Sequence, residues 1–204
     1  APPASELEAR EVAEAAREEE WRHHGFVRDL FDGRLRLDLI DPYPQPDPRE
    51  VERARPFMDK LVEILKTVDG DEIDRTGKLP PELVEALKKI GAFGIKIPTE
   101  YGGLGLSQHS YTQAMKLVSG VDGSLAALLS AHQSIGVPQP LKLFGTPEQK
   151  KKYFPRLAQG AISAFALTEQ GVGSDPAQMQ TSAVLSEDGE HWILNGEKLW
   201  CTNG

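Results

Sequence analysis

The feature that most constrains the fold is a change of hydrophobic period near residue 161. Before this point, apolar residues recur at helical spacing, as in Phe57, Leu61, Ile64, Leu65 and Val68. After it, short apolar runs alternate with Asp-Gly and Asn-Gly pairs, which are turn signals of antiparallel hairpins. Helices in one block and strands in the next predict the α+β class, with a helical bundle preceding an antiparallel sheet.

The chain divides at a proline-rich segment. Residues 41–48 hold four prolines, which cannot continue a helix, so they predict a linker. Before the linker we expect a polar helix at residues 5–24 and a strand or extended arm at residues 34–39. The predicted organisation is therefore an extension with its linker at residues 1–50, a helical domain at 51–160 and the start of a β domain at 161–204.

Capping residues mark where several helices begin and end. Asp47, followed by a proline, is the expected N-cap of the first helix, and Pro56 marks a kink or a later start. A second helix should start near Pro81 and end at Gly91. Ser124 should cap an apolar helix reaching to about residue 135, which a bundle would bury. Thr146 should form a capping box with the glutamine three residues later.

Four segments of the β block have the composition of strands. They lie at residues 162–167, 181–187, 191–194 and 198–202. Asp188 and Gly189 separate the second from the third and predict a tight hairpin turn. The sequence therefore predicts an antiparallel meander.

Composition excludes several classes of protein. The net charge of −8 offers no basic footprint for nucleic acid. No apolar run approaches the ~18 residues of a membrane span. The acidic first residues argue against a transit peptide, and a single cysteine, Cys201, indicates a reducing compartment. No spacing of histidine, cysteine and carboxylate predicts a metal site, and His132 is expected to be a hydrogen-bonded core or interface residue.

A glycine-rich loop follows the first predicted strand. Residues 168–175 read TEQGVGSD, in which glycines allow close backbone approach to a ligand and Ser174 adds a hydroxyl donor suited to phosphate. Pro176 replaces the third glycine of a dinucleotide fingerprint, and no Gly-Lys-Ser/Thr sequence marks a P-loop. By itself the loop is equally consistent with a plain turn.

A second short motif lies at the end of the given sequence. Residues 200–204 read WCTNG, and on a strand Trp200 and Thr202 would project to the same face. An indole beside a hydroxyl suits a flat aromatic cofactor, since one can stack and the other can hydrogen-bond. The alternative is a tryptophan packed in an ordinary core.

Together the two elements resemble the flavin-binding pattern of the acyl-CoA dehydrogenase family. The resemblance covers residues 51–204 and rests on ALTEQGVGSD at 166–175 and LNGEKLWCTNG at 194–204, with PTEYGGLG at 98–105 and FGTPEQK at 144–150. Val172 and Gln178 depart from the small residues usual at those positions. The extended N-terminus resembles the larger members of the family.

The resemblance implies an FAD-dependent oxidoreductase of fatty acid β-oxidation that converts acyl-CoA to trans-2-enoyl-CoA. It assigns Ser174 to the acyl-CoA as well as to the cofactor. The implied FAD-binding residues are Phe165, Leu167, Thr168, Gly173, Ser174, Trp200 and Thr202. The β block would begin an antiparallel barrel-like domain.

The resemblance places the catalytic carboxylate in a C-terminal helical domain that this chain lacks. No catalytic residue is therefore assigned within residues 1–204, which we expect to be inactive alone. Glu169 and Asp175 are expected to form hydrogen bonds within the loop instead. The edge of the predicted meander would be open, which implies that more polypeptide follows.

The resemblance also implies partners and a compartment. The substrate would be an acyl-CoA and the electron acceptor a protein such as an electron-transfer flavoprotein. The enzyme would be a homo-oligomer in the bacterial cytoplasm or the mitochondrial matrix. Two alternatives stay open: an acyl-CoA oxidase or flavin monooxygenase of the same fold, and a non-enzymatic helical binding module.

Overall fold

A computed structural model describes residues 25–43 and 45–204. They form two compact units. The helical unit comprises Pro46–Ala166 together with Trp200–Gly204, and the hairpin unit comprises Leu167–Leu199 together with the described residues up to Gln45. The polar helix predicted at residues 5–24 lies outside the described residues. Because the units do not follow sequence order, the division into segments 1–50, 51–160 and 161–204 stays a prediction.

The helices precede the strands, which confirms the α+β prediction. In the described residues the α-helices are α1 (Phe26–Phe31), α2 (Pro48–Leu65), α3 (Gly70–Thr76), α4 (Pro81–Lys89), α5 (Gln108–Ser119), α6 (Gly123–Ser130), α7 (Pro138–Phe144) and α8 (Pro147–Ala158). A π-helical turn, Ala131–Ile135, follows α6. None of the helices in the described part is long and apolar enough to cross a membrane.

Helix α2 begins where the sequence predicted. The Asp47 side chain accepts a hydrogen bond from the Arg49 N–H at 2.9 Å, and Pro48 occupies the first helical position. The later start at Pro56 is wrong, because the helix continues through that residue. A buried stripe containing Phe57 and Leu61 packs one face of α2 into the core, and such packing supplies most of the stability of a helix in a protein.

Of the other three predicted caps, two are confirmed and one is wrong. Gly91 adopts a left-handed conformation, with φ of 82°, just after α4 ends. Thr146 and Gln149 form the predicted capping box. Ser124 does not cap α6. The Asp122 carboxylate accepts from the Leu125 N–H at 2.6 Å instead, since a carboxylate favourably meets the positive end of a helix.

The core lies within the helical unit. Leu87, Phe93, Leu125 and Leu129 are each fully buried in one large cluster to which α2, α4, α5 and α6 contribute. A smaller cluster contains Phe154 of α8. The apolar helix predicted to reach residue 135 stops at residue 130, where the π-helical turn begins. This turn buries His132, so the helical unit places one imidazole inside its core.

The hairpin unit contains the predicted hairpin. Strand β1 (Ser182–Leu185) pairs antiparallel with β2 (Trp192–Asn195), with Ser182 opposite Asn195 and Leu185 opposite Trp192. Gly189 takes a φ of 71° in the turn, as an Asp-Gly turn requires. The Ser186 hydroxyl donates to Asp188 at 2.6 Å and braces that turn. The hairpin at Asp188-Gly189 is confirmed.

Three other strand predictions are wrong. Residues 162–167 and 198–202 form no ladder within the described residues. Trp200 interrupts the last segment with a φ of 57°, which lies outside the extended region. Residues 34–39, predicted as a strand or an extended arm, form no strand and contain a 3₁₀ helix, Leu37–Leu39. A strand is stable only when it pairs with a neighbouring strand, and the alternation of apolar residues in a sequence does not show whether such a neighbour exists.

Candidate functional site

The glycine-rich loop at residues 168–175 is built around Glu169. This side chain is buried, with 6% of the residue exposed. Its carboxylate accepts hydrogen bonds from the backbone N–H groups of Gln180 at 2.6 Å and Thr181 at 3.1 Å. The Lys198 ammonium donates to the same carboxylate at 2.8 Å and to the Leu167 carbonyl at 3.0 Å. Glu169 thus joins the beginning of the loop to both segments that flank the hairpin.

These contacts fix the charge state of Glu169. The hydrogen bond from Lys198 is the largest cause, followed by hydrogen bonds from Thr181 and Gln180, and together they lower the pKa of Glu169 from its ordinary 4.5 to about 2. A carboxylate that holds its charge so strongly is a poor acceptor for a substrate proton at neutral pH. The geometry agrees with the loop hydrogen-bonding role predicted for Glu169.

The loop closes on itself beyond Glu169. The backbones of Glu169 and Val172 exchange hydrogen bonds at 3.1 and 3.0 Å, and Gly171 between them takes a φ of 81°. The Val172 side chain is buried, so this departure from the family pattern anchors the turn. The Asp175 carboxylate accepts from the Ala177 N–H at 3.3 Å and caps the 3₁₀ helix Pro176–Gln178, which contains the second departure, Gln178.

The hairpin unit holds four of the predicted cofactor residues. Leu167 and Thr168 are half-buried, and the Thr168 carbonyl accepts from the Leu199 N–H at 2.8 Å. Gly173 and Ser174 are exposed at the outer end of the loop, and no atom lies within 4 Å of the position that a Cβ on Gly173 would take. This part of the loop leaves its backbone and the Ser174 hydroxyl accessible.

The helical unit holds the other three predicted residues. Phe165 is 45% exposed, Trp200 is 88% exposed, and Thr202 is exposed as well. Trp200 is therefore not packed in a core of this unit, and that alternative is wrong. The shared strand face expected for Trp200 and Thr202 is also wrong. The Asn203 amide donates to the Leu128 carbonyl at 3.0 Å and anchors the turn that contains Thr202 and directly follows Trp200.

Comparison with protein families agrees with this arrangement of a helical part and a glycine-rich loop. The acyl-CoA dehydrogenase N-terminal domain matches residues 51–161, and the middle domain of the same family matches residues 164–204. The chain belongs to the acyl-CoA dehydrogenase family. The predicted resemblance is thereby confirmed.

Similar proteins within the family are considerably longer than this chain. A probable acyl-CoA dehydrogenase FadE10 of Mycobacterium tuberculosis is 52% identical over 200 residues, which are 98% of this chain and 31% of that protein. The mitochondrial very long-chain specific acyl-CoA dehydrogenase of Homo sapiens is 40% identical over 185 residues, covering 88% and 28%. The chain thus spans about a third of the length of these relatives.

The fold has a counterpart among solved structures. An acyl-CoA dehydrogenase from Bacillus anthracis, solved in complex with FAD, aligns with a TM-score of 0.61 at 36% identity. The alignment covers 77% of this chain and 27% of that chain. The helical bundle and the loop after it are therefore family features rather than peculiarities of this sequence.

Sequence reasoning missed two residues that organise the family loop and its surroundings. Lys198 was given no role, because a lysine beside an Asn-Gly turn has no sequence feature that separates it from a solvated one. Ser163 was assigned to a strand, yet it is buried and its N–H donates to His132 Nδ1 at 3.1 Å. His132 is a hydrogen-bonded core residue, as predicted.

One group of potential metal ligands lies at the tip of the hairpin. Atoms of Asp188, Glu190 and His191 come within 4.8 Å of one another. All three residues are exposed, and the Asp188 carboxylate already accepts hydrogen bonds within the turn. Exposed acidic groups are common without a bound metal ion, and the prediction that the chain has no metal site stays a prediction.

Proposed function

We propose that this chain provides the FAD-binding part of an acyl-CoA dehydrogenase that converts acyl-CoA to trans-2-enoyl-CoA. The observation that carries the proposal is the loop at residues 168–175, held by Glu169 and Lys198, in a chain 52% identical to a probable acyl-CoA dehydrogenase over nearly its whole length. A helical binding module that had lost its cofactor would have no need of an accessible Gly173–Ser174 segment.

The proposed FAD ligands have the chemistry that the cofactor requires. Gly173 and Ser174 can offer backbone and hydroxyl donors to the pyrophosphate, and Ser174 can also contact the acyl-CoA. Trp200 and Phe165 provide aromatic surface for the ring system, which Leu167 would cover and with which Thr168 and Thr202 would hydrogen-bond. When bound, FAD supplies the acceptor for the two electrons that leave the acyl group.

We further propose that the carboxylate that accepts the substrate proton lies outside residues 1–204. Glu169 is held as an anion by Lys198, which makes it a poor base, and the Asp175 carboxylate accepts from the Ala177 N–H within the loop, as expected of a loop residue. The role of this chain would be to bind and orient. Residues 1–204 alone should therefore show no acyl-CoA turnover, even in the presence of FAD.

The relatives support proposals about partners and compartment. The substrate class is an acyl-CoA thioester, and the electron acceptor is a protein such as an electron-transfer flavoprotein. The enzyme would form a homo-oligomer and would work in the cytoplasm of a bacterium or in the mitochondrial matrix.

The binding step is tested by substituting Ser174 in the FAD-containing protein. Ser174→Ala should weaken FAD binding by about tenfold to a hundredfold, since a hydrogen bond to a charged group contributes roughly 1.5–3 kcal/mol. Ser182→Ala, which removes an exposed serine from β1 of the same unit, is the matched control and should leave the affinity unchanged. Protein that remains colourless and cannot be reconstituted with FAD would overturn the proposal.

A further inference from the structure

The π-helical turn after α6 carries two adjacent polar side chains that are fully withdrawn from solvent. His132 is 0% exposed and Gln133 is 2% exposed. His132 Nε2 lies 3.0 Å from the Phe93 carbonyl, and Gln133 Nε2 donates to the Ala92 carbonyl at 2.7 Å. Both side chains therefore attach the turn to the same 3₁₀ helix, Ala92–Gly94, and His132 also bonds to Ser163.

The partners of His132 define its tautomer. A carbonyl oxygen can only accept, so Nε2 carries the hydrogen and Nδ1 is the acceptor. Nδ1 receives the Ser163 N–H at 3.1 Å and lies 2.9 Å from the Ser163 hydroxyl, which donates to it. Burial lowers the pKa of His132, which keeps the imidazole in this neutral form.

Ser163 extends the network toward the exposed aromatic residues of the helical unit. Its hydroxyl accepts from the Val137 N–H at 3.1 Å, and its carbonyl accepts from the Asn203 amide at 3.4 Å. Phe165 follows Ser163 by two residues, Thr202 belongs to the turn that contains Asn203, and Trp200 lies just before that turn. The hydrogen-bond network thus contacts the backbone of the segment that carries Phe165 and the segment around Asn203.

The network has little room to adjust. A Cβ added to Gly136 would lie 2.5 Å from the Ser163 hydroxyl and 2.6 Å from the His132 carbonyl. The segments around residues 163 and 203 form no ladder within the described residues, so their positions depend on these side-chain bonds. A π-helical turn is rare and is frequently found at functional sites.

We infer that His132 is a positioning residue for the flavin-binding segments of the helical unit, acting through Ser163 and Asn203 on Phe165, Trp200 and Thr202. The inference rests on the proposed FAD function and deepens it. The hydrogen bonds of the His132 ring go to the Phe93 carbonyl and to Ser163, so His132 acts on the backbone from which the aromatic side chains project.

The test compares variants of the FAD-containing protein by titrating the apoprotein with FAD and by thermal melting. His132→Leu keeps the side-chain volume and removes the hydrogen bonds at both ring nitrogens, whereas Ser163→Ala removes only the hydroxyl. Both should weaken FAD binding by about tenfold or more, because each leaves buried polar groups without their partners. His132→Asn, which keeps an acceptor near the position of Nδ1, should restore much of the affinity.

Gln133→Met is the matched control. It removes a buried hydrogen bond from the same turn without touching Ser163, so it should lower the melting temperature and leave FAD affinity unchanged. Equal loss of affinity in the Gln133 and His132 variants would overturn the inference, and so would unchanged affinity in Ser163→Ala. Wild-type protein that binds no FAD would instead overturn the proposed function on which the inference rests.

Discussion

Glu169 and Lys198 form an ion pair with an Oε1–Nζ distance of 2.8 Å, and their side chains are only 5% and 19% exposed. The pair joins the first turn of the glycine-rich loop to the segment that follows the hairpin. It supports the proposal that Glu169 hydrogen-bonds within the loop and is not the catalytic base. The same carboxylate that organises the loop is held as an anion, so it cannot readily accept a proton.

Removing the cation alone should damage the hairpin unit more than removing both charges. Lys198→Met leaves the Glu169 carboxylate buried without its partner, and an uncompensated buried charge is strongly destabilising. The double variant Glu169→Gln with Lys198→Met should regain part of the lost free energy of unfolding. Urea unfolding of the single and double variants measures the difference. Strict additivity of the two substitutions would show that the pair is not coupled.

The stability contributed by Glu169 should depend on pH in the acidic range. Its folded pKa of about 2 lies below its ordinary 4.5, so the unfolded chain binds the proton more tightly. The contribution is therefore complete above the ordinary value and is lost as the pH falls from 4.5 toward 2. The difference in unfolding free energy between wild type and Glu169→Gln should therefore become smaller as the pH is lowered from about 7 to about 3. A constant difference over that range would refute the assignment.

The two tryptophans within residues 45–204, both exposed, should differ in their effect on the flavin. Trp200→Ala should weaken FAD binding by about tenfold to a hundredfold, because stacking on an aromatic side chain contributes about 1–3 kcal/mol. Trp192→Ala removes a 66% exposed indole from β2 and serves as the control, with no expected change in affinity. Fluorescence titration with FAD compares them, and equal losses for both variants would argue against a flavin role for Trp200.

The N-cap of α6 can be tested in the same way. Asp122→Ala should cost about 1 kcal/mol of unfolding free energy, because it removes the acceptor for the Leu125 N–H. Ser124→Ala, two residues away, should change the stability by less than about 0.5 kcal/mol. Thermal or urea unfolding distinguishes the two, and the reverse order would restore Ser124 as the cap.

Local sequence signals predicted the local structure of this chain. The Asp188-Gly189 turn, the Thr146 capping box and the Asp47 cap each depend on a few neighbouring residues whose chemistry admits few conformations. The family pattern was recognisable for a similar reason, because glycine and serine at fixed offsets allow a ligand to approach the backbone closely.

Features that depend on distant partners were not predictable. Residues 162–167 have the composition of a strand, but Ser163 bonds to a histidine 31 positions earlier rather than to a neighbouring strand. Lys198 contacts Glu169, which lies 29 positions earlier, and no sequence feature near either residue predicts that contact. The left-handed conformation of Trp200 could not be foreseen either, since bulky residues seldom adopt it.

The most direct test of the proposed function is anaerobic addition of acyl-CoA thioesters to the FAD-containing protein, followed by the visible absorbance of the flavin. The proposed function predicts loss of the oxidised-flavin absorbance together with formation of one trans-2-enoyl-CoA per flavin. Residues 1–204 alone should give neither change. A flavin that stays oxidised with straight-chain and branched acyl-CoA substrates alike would contradict the proposed reaction.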